Sequence, residues 1–274
     1  MVTYRSMLVR CVLVAGLLRP GEVWAQEQVT VGLPFGAGES LVYKVSSVRF
    51  GAIGRSTMRV SGVEEVRGRS TLQVEFELQG KVGPFTIEDR TRSWIEPAGL
   101  RSLRYEKRER HPLATKNEEV EIFPAESRWS AADGRSGTLQ TEDPLDELSF
   151  IYLVRTIDLD PGAAISLNRH YDAERNPVQL RLIGTERLPL PVGVFPVRIV
   201  EMQVRDGKRF NGSGVIRLYL TDDDKRYPVR IETTLPVVGK LILDLEALTP
   251  ASEISAPASG NPPETNPVNS DEIS

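Results

Sequence analysis

Residues 72–78, with the sequence LQVEFEL, alternate apolar and polar side chains without a break. Successive side chains of a β-strand point to opposite faces, so this stretch predicts a strand with one apolar and one polar face. The same alternation recurs in residues 41–45, 178–182, 229–232 and 240–245. The folded part of the chain is therefore predicted to be mainly β, with one sheet face buried and the other in water.

Further stretches also favour strands, because they are rich in β-branched and apolar residues and end in turn-forming residues. They are residues 55–63, 85–95, 100–109, 118–123, 164–170, 192–204 and 214–221. Turns are predicted at Asp133-Gly134, at Asp206-Gly207 and at Asp222 to Asp224. About eleven or twelve strands with one wet face predict a strongly curved antiparallel sheet, a barrel or a sandwich.

One segment, DPLDELSFIYLVR at residues 143–155, breaks the alternation. Asp143 suits a helix N-cap and Pro144 the first helical position, while Arg155 lies where the helix dipole favours a cation. We therefore predict one buried helix, at about residues 144–156, that covers the sheet. A buried strand is the alternative, since a short apolar run fits both.

The spacing within this helix suggests which side chains face the sheet. Leu148, Ile151 and Tyr152 lie three and four residues apart and would share one face. Ser149, if buried beside them, would need a hydrogen-bond partner. Arg155 has two interpretations: it pairs with a buried carboxylate, or it faces the acidic group of a ligand. Tyr152 and Arg155 are therefore the candidate ligand-binding residues.

The amino terminus has the order of a secretion signal. Arg5 and Arg10 precede an apolar run at residues 11–18. Cleavage is predicted between Ala25 and Gln26. The run is far shorter than the roughly 20 apolar residues of a membrane-spanning helix, and a buried first helix is the alternative interpretation. Residues 1–25 thus predict export to the periplasm, with association at the outer membrane as a further option.

The mature chain would contain no cysteine, because Cys11 is the only one and lies inside the predicted signal. It would form no disulfide and carry no lipid on an amino-terminal cysteine. Residues 249–274 are rich in proline, serine and asparagine, a composition that predicts a disordered tail. Residues 33–248 are left as a single β-rich domain.

The composition argues against several functions. A net charge of −4 with mixed charges makes the protein a poor candidate for binding nucleic acid or anionic membrane surfaces. Aromatic residues form only 7% of the chain, and a polar tail replaces a final aromatic strand, so a membrane-spanning barrel is not expected.

No catalytic, metal or cofactor site is predicted. His111 and His170 are the only histidines, lack the close spacing of a zinc pair, and are interpreted as surface residues. Asp222 to Asp224 lack the pattern of a calcium loop and are interpreted as a charged turn. The chain contains no Gly-X-Ser-X-Gly motif for a serine nucleophile.

Five segments together resemble the bacterial domain-of-unknown-function family 3108, which consists of exported proteins. They are FGAGESLVY at 35–43, DELSFIYLVR at 146–155, PVGVFPVR at 191–198, LYLTDDDKRYPVR at 218–230 and VGKL at 238–241. The resemblance implies a periplasmic or envelope setting and a single β-rich domain, and it implies no reaction.

The leading functional hypothesis is a non-catalytic periplasmic protein that binds or carries an apolar or envelope-derived ligand. A curved sheet with an apolar face beside a helix often encloses a small-molecule site. The alternative is an envelope assembly protein that meets a protein partner without a small ligand. A hydrolase of envelope polymers is a third possibility, without support from any motif.

Overall fold

The computed structural model describes residues 32–111, 114–206, 212–235 and 239–252. These residues form one antiparallel sheet of 14 strands and one α-helix. The strands are β1 (Ser40–Ser47), β2 (Gly51–Val66), β3 (Arg69–Val82), β4 (Phe85–Glu96), β5 (Arg101–His111), β6 (Ala114–Phe123), β7 (Arg128–Ala131), β8 (Ser136–Thr138), β9 (Ala164–Leu167), β10 (Val178–Leu190), β11 (Gly193–Asp206), β12 (Gly212–Thr221), β13 (Pro228–Leu235) and β14 (Gly239–Thr249). The α-helix, α1, spans Glu147–Val154, and short 3₁₀ helices span Pro124–Glu126 and Ala173–Arg175.

The sheet consists of two meanders joined along one seam. Strands β1 to β8 follow one another across the sheet, and so do β9 to β14. The pairing of β1 with β14 connects the two meanders, and β8 and β9 are the edges of the described sheet. The predicted mainly β fold with a curved antiparallel sheet and one covering helix is confirmed, and the sheet is not closed into a barrel.

Successive turns of a meander lie at opposite ends of the strands. The β1–β2 and β3–β4 turns lie at one end of the sheet, which we call the near end. The β2–β3, β10–β11 and β12–β13 turns lie at the other, which we call the far end.

At the near end of the sheet, the backbones of β2 and β3 lie unusually close together. Gly54 pairs with Gly80 across the two strands. A Cβ atom on Gly54 would lie 2.0 Å from the Gln79 carbonyl oxygen, and one on Gly80 would lie 2.8 Å from that of Ile53. Only glycine fits such backbone contact at both positions, so this pair holds the two neighbouring hairpins together.

The main core lies between α1 and the concave face of the sheet. The alternating apolar side chains of β1, β3 and β10 to β14 point to this face, and six of the eight residues of α1 are buried against it. A smaller cluster lies beside β5 to β7, with Tyr105, Trp129 and Tyr171 at its centre.

The face of the sheet opposite the main core is less exposed to solvent than the alternation predicts. Glu75 on β3 is only 2% exposed, because Arg59 and Arg90 on the neighbouring strands lie over it. The Arg59 Nη2 to Glu75 Oε2 distance is 2.6 Å. Burial acts to raise the pKa of Glu75, but hydrogen bonds from Arg90 and Arg59 outweigh it, so the pKa is lowered.

The helix begins later than predicted. Asp146, not Asp143, is the N-cap, and Pro144 lies before the helix. The segment is extended here because Leu145 bridges to the chain near His170: its N–H donates to the Arg169 carbonyl at 2.6 Å. The alternative of a buried strand is wrong, and the short strands β7 and β8 escaped prediction.

The chain stays ordered slightly beyond the predicted domain end at residue 248. Strand β14 runs through Thr249, and the Ser252 N–H donates to the Ala37 carbonyl at 2.9 Å. The predicted signal at 1–25 and the tail beyond Ser252 lie outside the described residues. In the part of the chain that the structure describes, no helix has the length and apolar character to cross a bilayer.

Candidate functional site

A cavity of about 150 Å³ lies between the first half of α1 and the concave face. Strands β3 to β5 line one side and β12 to β14 the other, although β1 and β2 separate these groups in the sheet. The curvature of the sheet therefore creates the cavity. We call it the α1 cavity.

Most of its lining is aliphatic or aromatic. The apolar residues are Phe76, Leu78, Leu148, Ile151, Ile216, Ile231, Leu235, Leu241 and Leu243. Several of them, including Ile151, Ile216 and Leu241, remain half-exposed, so the cavity communicates with solvent. An apolar surface left partly uncovered in this way is suited to an apolar ligand.

A polar wall faces this apolar lining from β4, β5 and the start of α1. Its charged centre is Lys107, whose Nζ lies 2.8 Å from Glu147 Oε2 and 3.0 Å from Glu109 Oε1. Arg175 also pairs with Glu147, and the Tyr105 hydroxyl donates to the same carboxylate at 3.3 Å. Because these charges are already paired, the wall suits the neutral polar groups of a ligand better than an additional charge.

The N-terminal end of α1 is fixed from inside the core. Asp146 Oδ1 accepts the N–H groups of Leu148 and Ser149, both at 2.9 Å, and Oδ2 accepts the Ser93 hydroxyl at 2.5 Å. The Ser149 hydroxyl accepts the Asp146 N–H at 2.8 Å and the Ser102 hydroxyl at 2.9 Å. The predicted hydrogen bonding of Ser149 is confirmed. Burial raises the pKa of Asp146, against hydrogen bonds led by that from Ser93.

The C-terminal end of α1 is fixed by a buried ion pair. The Arg155 guanidinium is fully buried and contacts Glu39 through two bonds, Nη1 to Oε1 at 2.5 Å and Nη2 to Oε2 at 2.9 Å. Its Nη2 also donates to the carbonyls of Pro34 and Lys225, at 2.9 and 3.0 Å. Of the two interpretations of Arg155, this is the pairing with a buried carboxylate.

Three aromatic rings enclose this guanidinium. Arg155 Cζ lies 5.3, 5.7 and 5.4 Å from the ring centres of Phe35, Tyr152 and Tyr227. Phe35 and Tyr152 also meet edge to face at 4.8 Å. We call Phe35, Glu39, Tyr152, Arg155 and Tyr227 the Arg155 cluster. Such rings stabilise a desolvated cation.

The two candidate ligand-binding residues of the sequence, Tyr152 and Arg155, therefore lie together, and neither lines the α1 cavity. The Tyr152 hydroxyl is buried without a hydrogen-bond partner in the described structure, and burial raises its pKa. A ligand role for these two residues stays a prediction.

The interpretation of His170 as a surface residue is wrong. The ring is 3% exposed and stacks on Phe150 at 6.2 Å, while its Nδ1 accepts the Asp172 N–H at 3.0 Å. Burial, with a smaller effect from Arg175, lowers the pKa of His170 to about 3. The side chain of His111 lies outside the described residues, among which no group of His, Cys, Asp and Glu is arranged to hold a metal ion.

Asp223 has a structural role in the charged turn after β12. Its Oδ1 accepts the Thr221 hydroxyl at 2.8 Å and the N–H groups of Lys225 and Arg226 at 2.9 Å. These contacts support the interpretation of residues 222–224 as a turn.

Sequence reasoning missed the polar wall. Basic and acidic side chains alternate in RYEKRER at residues 104–110, which is typical of a solvated strand face, yet Lys107 is 4% exposed. Lys107 and Glu109 follow the buried Tyr105 at steps of two, so the three side chains point to the same face of β5. This period was the available signal, but alternating charges along the strand concealed it.

A wider groove of about 520 Å³ lies over β3 to β6 near the near end. Its lining is mainly charged, with pairs such as Arg110 and Glu88 at 3.7 Å and Arg90 with Glu77 at 3.3 Å. Most of these side chains are exposed, and solvated pairs of this kind offer little binding energy. The α1 cavity is therefore the better candidate site.

Comparison with known proteins places the chain in a family. The family described as "Protein of unknown function (DUF3108)" matches residues 42–246. The chain belongs to this family. No curated protein matches it.

Solved structures also resemble the domain. A β-barrel-like protein of the domain of unknown function DUF1849 from Brucella abortus aligns with a TM-score of 0.55 and 8% identity, covering 80% of this chain and 99% of that one. An export candidate with a YmcC-like fold from Bacteroides fragilis has a TM-score of 0.31 and 13% identity, over 79% and 98% of the two chains. A lipoprotein candidate from Parabacteroides distasonis has a TM-score of 0.31 and 12% identity, over the same shares. The likeness to the Brucella protein concerns the fold alone.

Proposed function

We propose that this DUF3108 domain is a non-catalytic envelope protein that binds or carries an apolar ligand in the α1 cavity. The observation that carries the proposal is the cavity itself, with nine apolar side chains around a space that reaches solvent. Leaving such a surface empty in water is unfavourable, at about 25 cal/mol per Å² of apolar area. A ligand that covers it gains this free energy.

The size of the cavity limits the ligand. A dry apolar cavity of about 150 Å³ is large enough for a single small ring. The α1 cavity would thus enclose one ring or a short length of one acyl chain, with the rest of the molecule near the polar wall or outside. A lipid or an envelope-derived apolar compound fits this description.

The periplasmic setting rests on residues 1–25, which have the features of a cleavable signal. Amino-terminal sequencing of the protein from a periplasmic extract tests it, with Gln26 as the expected first residue. An intact Met1 and a cytoplasmic location would contradict export and leave the cavity to be explained in another compartment.

Mass spectrometry under native conditions tests the ligand. Protein purified gently from its own compartment should carry an added mass of a few hundred daltons that organic extraction releases, within the size of drug-like and lipid ligands. Finding only protein partners would instead favour the alternative, an envelope assembly protein. Release of shortened polymer from envelope material would favour a hydrolase.

A pair of matched variants locates the ligand. Ile216→Phe adds a ring to the cavity wall on β12, whereas Ile199→Phe enlarges a half-buried residue on β11 that does not line the cavity. We expect Ile216→Phe to lose the added mass and Ile199→Phe to keep it. Equal retention by both folded variants would place the ligand elsewhere.

A further inference from the structure

The near end of the sheet exposes apolar side chains at the tips of two neighbouring hairpins. In the β1–β2 turn, Val48 is 74% and Phe50 42% exposed, and Phe85 at the start of β4 is 52% exposed. Because Gly54 pairs with Gly80, these hairpins are adjacent at this end. Exposed apolar groups gathered at one place mark an interaction site more often than scattered ones do.

Basic side chains accompany these apolar tips. Arg49 lies between Val48 and Phe50, with its Cζ 5.3 Å from the Phe50 ring centre, and the exposed Lys81 lies on the second hairpin. Residues 47–51 and 81–86 contain no acidic residue. We call Val48, Arg49, Phe50, Lys81 and Phe85 the aromatic rim. Its local charge is positive, although the whole chain is acidic.

The far end has a different character. Its β12–β13 turn contains Lys225 and Arg226 beside Asp222 to Asp224, and its β2–β3 turn contains Arg67 shortly after Glu64 and Glu65. Its β10–β11 turn exposes Val192 and Val194, at 43% and 56%, but no charged residue lies within residues 188–197. In the described far-end turns the cations thus have acidic residues beside them, whereas the two near-end hairpins combine apolar tips with cations and no acid.

The aromatic rim also borders the α1 cavity. The Val48 N–H donates to the Lys240 carbonyl at 3.0 Å, and the next residue, Leu241, lines the cavity. On the second hairpin, Leu78 lines the cavity on the strand that ends at Val82. A surface in contact with the rim would therefore lie beside strands that line the α1 cavity.

We propose that the aromatic rim is a membrane-contact surface that inserts Phe50 and Phe85 among lipid acyl chains while Arg49 and Lys81 bind anionic headgroups. Aromatic side chains are favoured at the membrane interface, and each basic residue near an anionic surface strengthens binding by about fivefold. Separate tips with flanking cations suit a deformable lipid surface. The rim goes beyond the proposed ligand binding, because contact with a membrane needs no occupied cavity.

Vesicle flotation tests the rim with the chain recovered from the periplasm. The probe is vesicles of phosphatidylglycerol and phosphatidylethanolamine in roughly equal parts, compared with phosphatidylcholine alone. The variants are Phe50→Ser with Phe85→Ser, Arg49→Gln with Lys81→Gln, and, as a matched control at the far end, Val192→Ser with Val194→Ser. All these sites are exposed, so equal melting temperatures are expected and are measured first.

We expect the wild-type chain and the far-end control to float with anionic vesicles. Loss of the two phenylalanines should weaken this binding at least tenfold, since each buries its ring on insertion. Loss of the two cations should weaken it on anionic vesicles only. Equal amino termini in all variants cancel any contribution from residues 1–25.

Three results would overturn the proposal: no binding by the wild type, unchanged binding without Phe50 and Phe85, or an equal loss in the far-end control. Sedimentation that shows self-association dependent on Phe50 without vesicle binding would assign the rim to a second copy instead. Ligand mass is measured in parallel, so failure of the rim is distinguishable from failure of the α1 cavity.

Discussion

Two regions that pack against α1 differ in how completely their side chains are buried and paired. At the C-terminal end of α1, each nitrogen of the buried Arg155 guanidinium has an acceptor, on Glu39 or on a backbone carbonyl. At the N-terminal half, Leu148 and Ile151 face a cavity whose apolar lining is only partly covered. The charged group of the first region already has partners within the protein, whereas the apolar lining of the second is left partly uncovered.

The difference teaches which side chains mark a site in this domain. Arg155 is the more conspicuous residue in the sequence, and the structure uses it to hold α1 on the sheet. The cavity is built from leucines and isoleucines that look like ordinary core. Three segments that resemble the family, at 35–43, 146–155 and 218–230, meet in the Arg155 cluster. That part of the resemblance therefore reflects folding.

The strongest test removes the guanidinium. Arg155→Met should lower the free energy of unfolding by about 3–5 kcal/mol, because Glu39 would be left as a buried, unpaired charge. Urea denaturation measures this loss, and ligand mass should stay unchanged in the folded fraction. Adding Glu39→Gln should restore part of the stability. Retained stability with a lost ligand would reverse the comparison and make Arg155 a binding residue.

On the cavity side, Leu148→Ala should lower the free energy of unfolding by about 2–5 kcal/mol, since Leu148 is buried. Ile151→Ala should cost less, because Ile151 is half-exposed at the cavity. Thermal or urea unfolding compares the two variants. If neither variant changes the melting curve, α1 does not cover the sheet in solution. Neither the Arg155 cluster nor the α1 cavity would then exist as described.

The pH dependence of stability tests whether His170, which stacks on Phe150 of α1, is sealed from water. His170 has a folded pKa of about 3, below its unfolded value near 6.5. Between these values only the unfolded chain binds the proton, so His170 destabilises the fold as the pH falls, by up to about 1.4 kcal/mol per pH unit.

His170→Asn places its Oδ1 where Nδ1 accepts the Asp172 N–H, and it does not titrate. Its free energy of unfolding should decrease less than that of the wild type between pH 6 and pH 4. Measuring both proteins cancels the other titrating groups, among them Asp146 and Glu118. Parallel curves of unfolding free energy against pH would show that His170 reaches water in the folded protein.

The smallest effect is expected from the carboxyl terminus. Removing residues 253–274 should change the free energy of unfolding by less than about 0.5 kcal/mol, because a segment rich in proline, serine and asparagine has little apolar surface to pack on the domain. Removing 249–274 should cost more, since it deletes the pairing of Thr249 with Ser40 and the Ser252 bond to Ala37. Calorimetry of both truncations decides, and a large loss from the shorter one would show that the tail packs on the domain.

The sequence predicted local features well. Alternation located most strands, and an apolar run with a capping residue located the helix, because both signals arise between near neighbours in the chain. The start of α1 was misplaced since Leu145 pairs with the distant segment at His170. The partners of Arg155 and the walls of the cavity lie on strands far apart in sequence, and no local pattern specifies which strands curve toward each other.

The seam between β1 and β14 has a consequence for the kinetics of folding. Every other strand pairing in the described sheet joins strands that are consecutive in the chain, so those hairpins can form early and locally. The seam instead brings Ser40 to Thr249, closing a loop of nearly the whole domain. We expect formation of this seam to limit the rate of folding. Until β14 has been synthesised and pairs with β1, the first meander has an unpaired strand edge at β1.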